Sequence, residues 1–323
     1  MTSTLAIVFP GQGSQSVGML SELAAAYPVV TETFAEATAV LGEDLGALVS
    51  EGPEERLNQT DITQPAMLAA GVAVWRVWQE TGGREPAYLA GHSLGEYTAL
   101  VCAGSLSFED AVSLVAERGR FMQEAVPAGE GAMAAILGLD DDAVRQVCAD
   151  AARGEVVEAV NFNAPGQVVI AGARSAVERA VTAAKDAGAK RAMPLPVSVP
   201  SHCALMRPAS ERLARRLETL EVKAPRIPVV HNVDVSLAGD AAGIRERLVA
   251  QLHNPVRWVE TVQFMAGAGV GTLVECGPGK VLAGLTRRID RELQGLAVQD
   301  PASLEKALAG TPGPSGLQNG GES

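Results

Sequence analysis

Short uninterrupted apolar runs alternate with longer stretches of helical spacing along roughly the first 125 residues. Residues 5–9 form such a run, Leu-Ala-Ile-Val-Phe, which ends at Pro10-Gly11 and predicts a strand buried on both faces. Helical spacing follows over residues 18–40 and 63–79, the second with Pro65 near its first turn. Residues 88–91 predict a second strand, running into Gly91-His-Ser-Leu-Gly95 and a further helix. Strands alternating with helices imply a mostly parallel sheet covered on both sides.

The middle of the chain has a different rhythm. Residues 131–137 predict a strand and 140–152 a helix. Two strands over 157–163 and 167–172 follow, separated by Ala164-Pro-Gly166, then a helix over 175–187 and a strand over 191–197. That order, βαββαβ, is the split βαβ signature of a ferredoxin-like unit. It predicts a small domain over 127–197 inserted into a larger, discontinuous one over 1–126 and 198–309. The α/β pattern resumes with strands at 228–232 and 272–276. From Gly310 the last fourteen residues hold five Gly and two Pro, which predicts a flexible tail over 310–323.

Charge narrows the partners. Lys+Arg 26 against Asp+Glu 38 leaves a net −12, a field that repels polyanions, and aromatics at 4% give little stacking surface. No nucleic-acid partner is expected. No run approaches eighteen apolar residues, so no membrane association is expected. Cys102, Cys148, Cys203 and Cys276 lie far apart without a CxxC or zinc-like spacing, as in a reduced cytoplasmic protein.

The candidate chemistry centres on Gly91-His-Ser93-Leu-Gly95, which matches the nucleophile elbow G-x-S-x-G between a predicted strand and helix. Ser93 there stands at a helix N-terminus, where backbone amides favour developing negative charge. Four histidines are available as its base. His92 adjoins the serine on a tight turn and should point away. His202, on a loop after Val199-Pro-Ser201, is favoured over His231, which ends an apolar strand and could be a hydrogen-bonded core residue. His253 precedes Pro255 and is expected near the surface. Cys203 is adjacent to His202 and so cannot readily face it.

A predicted helix begins after Ser107, with Glu109 and Asp110 in its first turn. Its apolar stripe, Ala111, Leu114, Val115 and Met122, includes Arg118. An arginine on a buried face needs a partner, either an internal carboxylate or a substrate carboxylate. The loop Pro10-Gly-Gln-Gly-Ser-Gln15 lacks the spacing of a P-loop or dinucleotide turn; its amides could instead supply half of an oxyanion hole. Gly277-Pro-Gly-Lys280 predicts a tight strand-to-helix connection.

Taken together, Phe9-Pro-Gly-Gln-Gly-Ser-Gln15, Gly91-His-Ser-Leu-Gly-Glu96, Arg118, Asn161-Phe-Asn-Ala-Pro-Gly-Gln167, Val199-Pro-Ser-His202 and Glu275-Cys-Gly-Pro-Gly279 resemble the malonyl-CoA:acyl carrier protein transacylase family. These are the acyltransferases of fatty-acid and polyketide synthesis, and the resemblance spans roughly residues 4–308. It implies an α/β-hydrolase-like large domain with a ferredoxin-like insertion. It also implies Ser93 as the acyl-carrying nucleophile, His202 as base, and the backbone N–H groups of Gln12 and Leu94 as oxyanion hole. Arg118 would bind the malonyl carboxylate, Gln251 would orient His202 through its carbonyl, and His92 and Asn163 would line the pocket. Glu275 would be structural.

The implied partners are malonyl-CoA and acyl carrier protein, with no cofactor or metal. Val-Pro-Ser before His202 matches the stand-alone bacterial enzymes. An acidic carrier would need basic residues at the entrance, for which Lys190, Arg191, Arg207, Arg287 and Arg288 are candidates. The alternative reading is a serine esterase or thioesterase on the same Ser93–His202 pair. A phosphate binder built on residues 10–15 is a third.

Overall fold

A computed structural model describes residues 4–197 and 199–311. Nine strands occur among them: β1 (Thr4–Phe9), β2 (Tyr88–Gly91), β3 (Gly131–Leu137), β4 (Val157–Ala164), β5 (Gln167–Ala173), β6 (Arg191–Pro194), β7 (Val229–Val230), β8 (Val270–Cys276) and β9 (Gln294–Val298). The helices before β3 are α1 (Ser21–Ala26), α2 (Pro28–Leu41), α3 (Leu45–Glu51), α4 (Glu54–Leu57), α5 (Thr60–Glu80), α6 (Gly95–Cys102) and α7 (Phe108–Ala125). Those after it are α8 (Asp141–Ala152), α9 (Arg174–Asp186), α10 (Arg207–Glu218), α11 (Ala241–Gln251), α12 (Trp258–Gly267), α13 (Val281–Ile289) and α14 (Pro301–Gly310).

The strands form two sheets. One is wholly parallel, in the order β7-β2-β1-β8-β9, and the other wholly antiparallel, in the order β4-β5-β3-β6. Parallel strands need helices on both faces, and the apolar runs of β1 and β8 are accordingly buried almost throughout. Leu5, Ile7 and Phe9 pack towards α5 and α6 on one face, while Ala6, Val8 and Leu273 meet Trp258 and Leu282 on the other. The antiparallel sheet packs Ala134, Ile136, Val168 and Ile170 against Val144, Val177 and Val181 of α8 and α9. Each fully buried Leu, Val or Ile side chain contributes about 1.5–3 kcal/mol before conformational entropy is subtracted.

The predicted strand–helix order of residues 131–197 is observed, with β2 and β3 at the expected bounds. Elsewhere the structure departs from expectation in four places. The helical stretch over 18–40 is two helices, broken where Pro28 starts α2 at a first-turn position needing no N–H. Helix α5 begins at Thr60, so Pro65 lies inside it rather than in the first turn. The strand at 228–232 shrinks to the two residues of β7. Helices α3 and α4, strand β9 and helix α14 were not anticipated; α3 and α4 are too short to carry a readable period. The tail expected from Gly310 lies outside the described residues beyond Thr311.

The register fixes where chemistry can occur. Phe9 pairs with Gly91, so β1 and β2 end side by side, and the loops leaving their carboxyl ends meet. The His92 N–H donates to Phe9 O at 3.0 Å, which locks the two loops together. Ligands in open parallel sheets bind at such carboxyl ends.

Candidate active site

Ser93 occupies the turn between β2 and α6 with φ of 53°, a left-handed conformation costly for a residue with a side chain. The turn can be this tight because its flanks have no Cβ. A Cβ on Gly91 would stand 1.9 Å from Gly95 C, and one on Gly95 would stand 2.1 Å from Phe9 O. The Ser93 hydroxyl consequently projects away from the backbone at the start of α6.

His202 Nε2 lies 2.7 Å from Ser93 Oγ. Its Nδ1 lies 2.7 Å from the backbone carbonyl of Gln251. A carbonyl can only accept, so Nδ1 carries the proton and Nε2 presents a lone pair to the serine hydroxyl. His202 is 2% exposed and also left-handed, with φ of 66°. Burial, aided by the charge of Arg118, pushes its pKa down to about 3, so the ring is a neutral base. Gln251, at the end of α11, stands where a triad would place an acid.

Helix α7 delivers Arg118. Ser107 Oγ accepts the Asp110 N–H at 3.1 Å and caps the helix, and Arg118 falls on the buried stripe at 1% exposure. Its Nη1 donates to Gln64 Oε1 at 2.8 Å and its Nη2 to Gln251 Oε1 at 3.1 Å. Nη2 also lies 3.4 Å from Ser93 Oγ, while Nε is buried without a partner. Among the described residues no carboxylate pairs with this cation. The internal ion pair, one of the two readings of its sequence position, is absent there.

The structure brings all eight sequence-derived site residues to this region. The backbone N–H groups of Gln12 and Leu94 have no acceptor among the described residues. His92 turns away from Ser93, as the tight turn suggested, and its Nε2 meets Asn163 Oδ1 at 2.8 Å beside the Trp258 ring. His231 is the core histidine, its Nδ1 2.7 Å from Glu96 Oε1 and fully buried. His253 differs from expectation: it is half-buried, with Nδ1 enclosed and unpartnered. Cys203 is buried, donates to Pro200 O at 3.1 Å, and has its thiol pushed up to about 12, a chemistry unsuited to nucleophilic attack at neutral pH. Glu275 Oε2 accepts the Ala283 N–H at 2.8 Å in the first turn of α13.

Sequence reasoning missed Gln64, Glu96 and Asn232 as parts of the site. Gln64 had a readable signal, a polar residue within the buried run of α5. Asn232 had none, since it was read as the end of the apolar strand over 228–232, whereas it lies two positions beyond β7 and only the fold brings it beneath the elbow. Among the described residues no three His, Cys, Asp or Glu side chains gather as a metal centre would require.

Comparison with known proteins identifies the family. The acyl transferase domain family matches residues 6–303. The malonyl CoA-acyl carrier protein transacylase of Salmonella typhimurium is 62% identical over 303 residues, covering 94% of this chain and 98% of that protein. The protein of the same name from Bacillus subtilis is 47% identical over 307 residues, covering 95% and 96%. Among solved structures, an acyl carrier protein S-malonyltransferase from Vibrio cholerae superposes with a TM-score of 0.92 at 63% identity, over 94% of this chain and 99% of that one. A malonyl-transacylase solved in complex with its type II polyketide acyl-carrier protein superposes with a TM-score of 0.94 at 61% identity, over 95% and 99%. The chain thus belongs to the acyl transferase domain family, among its malonyl CoA-acyl carrier protein transacylases.

Proposed function

We propose that this chain transfers a malonyl group from malonyl-CoA to the phosphopantetheine thiol of acyl carrier protein, by a ping-pong route through malonyl-Ser93. The observation that carries the reading is the buried Arg118, without a carboxylate partner among the described residues and with Nη2 3.4 Å from the Ser93 hydroxyl. Nε and Nη2 form one edge of the guanidinium, and that edge would take a carboxylate through two parallel hydrogen bonds while its thioester carbonyl lies over Ser93. A plain esterase has no use for such a cation beside its nucleophile.

In the first half-reaction Ser93 Oγ attacks the thioester carbonyl and gives its proton to His202 Nε2. The oxyanion is received by the N–H groups of Gln12 and Leu94, which have no acceptor among the described residues. The C–S bond breaks, and the leaving thiolate takes the proton back from His202. The carrier's thiol then repeats the sequence in reverse: it passes its proton to His202, attacks the ester carbonyl and returns Ser93 Oγ as a hydroxyl. The Gln251 carbonyl holds the histidine in the required tautomer throughout, and His92 with Asn163 shapes the pocket wall. No cofactor or metal enters this route.

The same reading assigns residues 1–126 and 198–309 to an α/β-hydrolase-like domain and 127–197 to a ferredoxin-like insertion. The strand order β4-β5-β3-β6 supports the second assignment. It places the protein in the cytoplasm, supported by four buried free cysteines. Lys190 and Arg288, which line one cleft, would belong to the surface that receives the acidic carrier. Intact-mass measurement after brief exposure to malonyl-CoA tests the whole reading. One malonyl adduct, mapped to Ser93 and discharged on adding carrier protein, is expected. Steady release of free malonate without an adduct would make the chain a hydrolase.

A further inference from the structure

Beneath the elbow lies a buried polar cluster of which the acyl-transfer route itself uses only the Gln251 carbonyl. Asn232, at 0% exposure, clamps both sides of the turn: its Oδ1 accepts the Ser93 N–H and its Nδ2 donates to Gly91 O, each at 2.7 Å. Gln251 Nε2 donates to Ser93 O at 3.0 Å, holding the other face of the same residue. Both amides converge on one carboxylate. Glu96 Oε2 accepts from Asn232 N at 3.0 Å and from Gln251 Nε2 at 2.8 Å, while Oε1 meets His231 Nδ1. Glu96, His231, Asn232 and Gln251 are all fully buried, so these bonds are not exchanged with water.

We propose that Asn232 and Glu96 are positioning residues, which hold the left-handed Ser93 and tie it to Gln251 so that nucleophile, base and arginine share one fixed frame. The physical need is plain. A side-chain residue relaxes out of φ near +53° unless its surroundings over-determine it. Asn232 supplies both an acceptor and a donor across the turn, which no apolar side chain can do. Glu96 fixes Asn232 through its main chain and Gln251 through its side chain. Gln251 in turn touches His202 with its carbonyl and Arg118 with Oε1. A shift at Glu96 therefore reaches all three reacting or binding groups.

The inference rests on Ser93 being the nucleophile but not on which acyl group it carries. The test accordingly uses a fluorophosphonate, which forms a P–O bond to Ser93 Oγ with loss of fluoride and of the hydroxyl proton through His202. Its labelling rate per folded molecule, with the folded fraction read by near-UV circular dichroism, reports alignment alone. Asn232→Ala is expected to lower the limiting labelling rate by about a hundredfold, the usual consequence of a displacement near 1 Å, with little change in half-saturating probe concentration. A rate within twofold of the parent would overturn the proposal, because a merely structural residue lowers the folded fraction and not the rate per folded molecule.

Should Asn232→Ala not fold, Glu96→Asp and Glu96→Gln decide. Asp keeps a carboxyl group but withdraws its oxygens from the Asn232 N–H and from Gln251 Nε2, whereas Gln keeps an oxygen within their reach. Labelling slower in Asp than in Gln by at least fivefold is expected; equal rates would overturn the proposal. A parent that labels at Ser93 yet takes no malonyl group would sink the malonyl reading and leave this inference standing. A parent that takes no label at Ser93 overturns both.

Discussion

The guanidinium of Arg118 and the hydroxyl of Ser93 lie 3.4 Å apart, Nη2 to Oγ, and among the described residues no carboxylate forms an ion pair with that guanidinium. A fixed positive charge this close to a nucleophile has two consequences. It would anchor an anionic acyl group on the reading proposed above, and it opposes protonation of the neighbouring His202.

Arg118→Ala should therefore cost malonyl loading far more than acetyl loading, since only malonyl has a free carboxylate. Loss of a charge-assisted bidentate contact is worth about 3 kcal/mol, or roughly a hundredfold in kcat/KM. Loading rates followed by intact mass with malonyl-CoA and acetyl-CoA in parallel check this. Equal losses for the two substrates would remove the carboxylate-anchor role.

The acidic limb of serine acylation should be absent from the range of an ordinary histidine. With His202 depressed to about 3, the base stays neutral, and kcat/KM should be level from pH 8 down to about 5. Arg118→Ala removes one of the influences that hold the ring down, burial being the largest and His92 a further one, so its limb should move upward. A parent profile that halves near pH 6.5 would show that the base is not held in this environment.

Glu275 should leave its mark on stability rather than on turnover. Burial raises its carboxyl from 4.5 to about 7, and Oε1 is enclosed without a partner. A folded-state pKa above the unfolded one gives stability that is full below about pH 4.5 and lost as pH rises through about 7. Glu275→Gln should escape that loss, which amounts to up to about 3 kcal/mol between pH 5 and 8. Parallel urea titrations at the two pH values measure it; an unchanged difference between parent and variant would mean that Glu275 is charged in the fold.

Gly91→Ala should disable the elbow through packing alone. Its new methyl would stand 1.9 Å from Gly95 C, in backbone that cannot retreat without moving α6. Overpacking of this kind costs about 3 kcal/mol or more, and thermal unfolding should show a drop of several degrees. A variant as stable and as active as the parent would show that the turn is looser than its glycines indicate.

Several of these relationships were legible along the chain. The G-x-S-x-G spacing announced the turn because only residues without Cβ allow β1, β2 and α6 to approach so closely. The buried arginine was visible as a charge on the apolar stripe of α7, and Ser107 as its cap. His202 and His231 could not be separated with certainty by spacing, because a loop histidine and a strand-end histidine differ only in what faces them. The partner of Arg118 was equally out of reach: residues 64, 93 and 251 come from three distant segments.

What the sequence determined by itself was local and periodic. It set the alternation of strand and helix, the antiparallel middle segment, the serine elbow and the residue types of an acyl-transfer site, since each depends on neighbours within a few positions. Tertiary structure alone decided which histidine meets Ser93, that Arg118 meets amide oxygens and no carboxylate among the described residues, and that Glu96 and Asn232 lie beneath the turn. Those outcomes depend on strand register, in which Phe9 beside Gly91 brings the loops together. They also depend on the exclusion of water, which keeps a buried imidazole neutral and leaves a buried guanidinium held by the amide oxygens of Gln64 and Gln251.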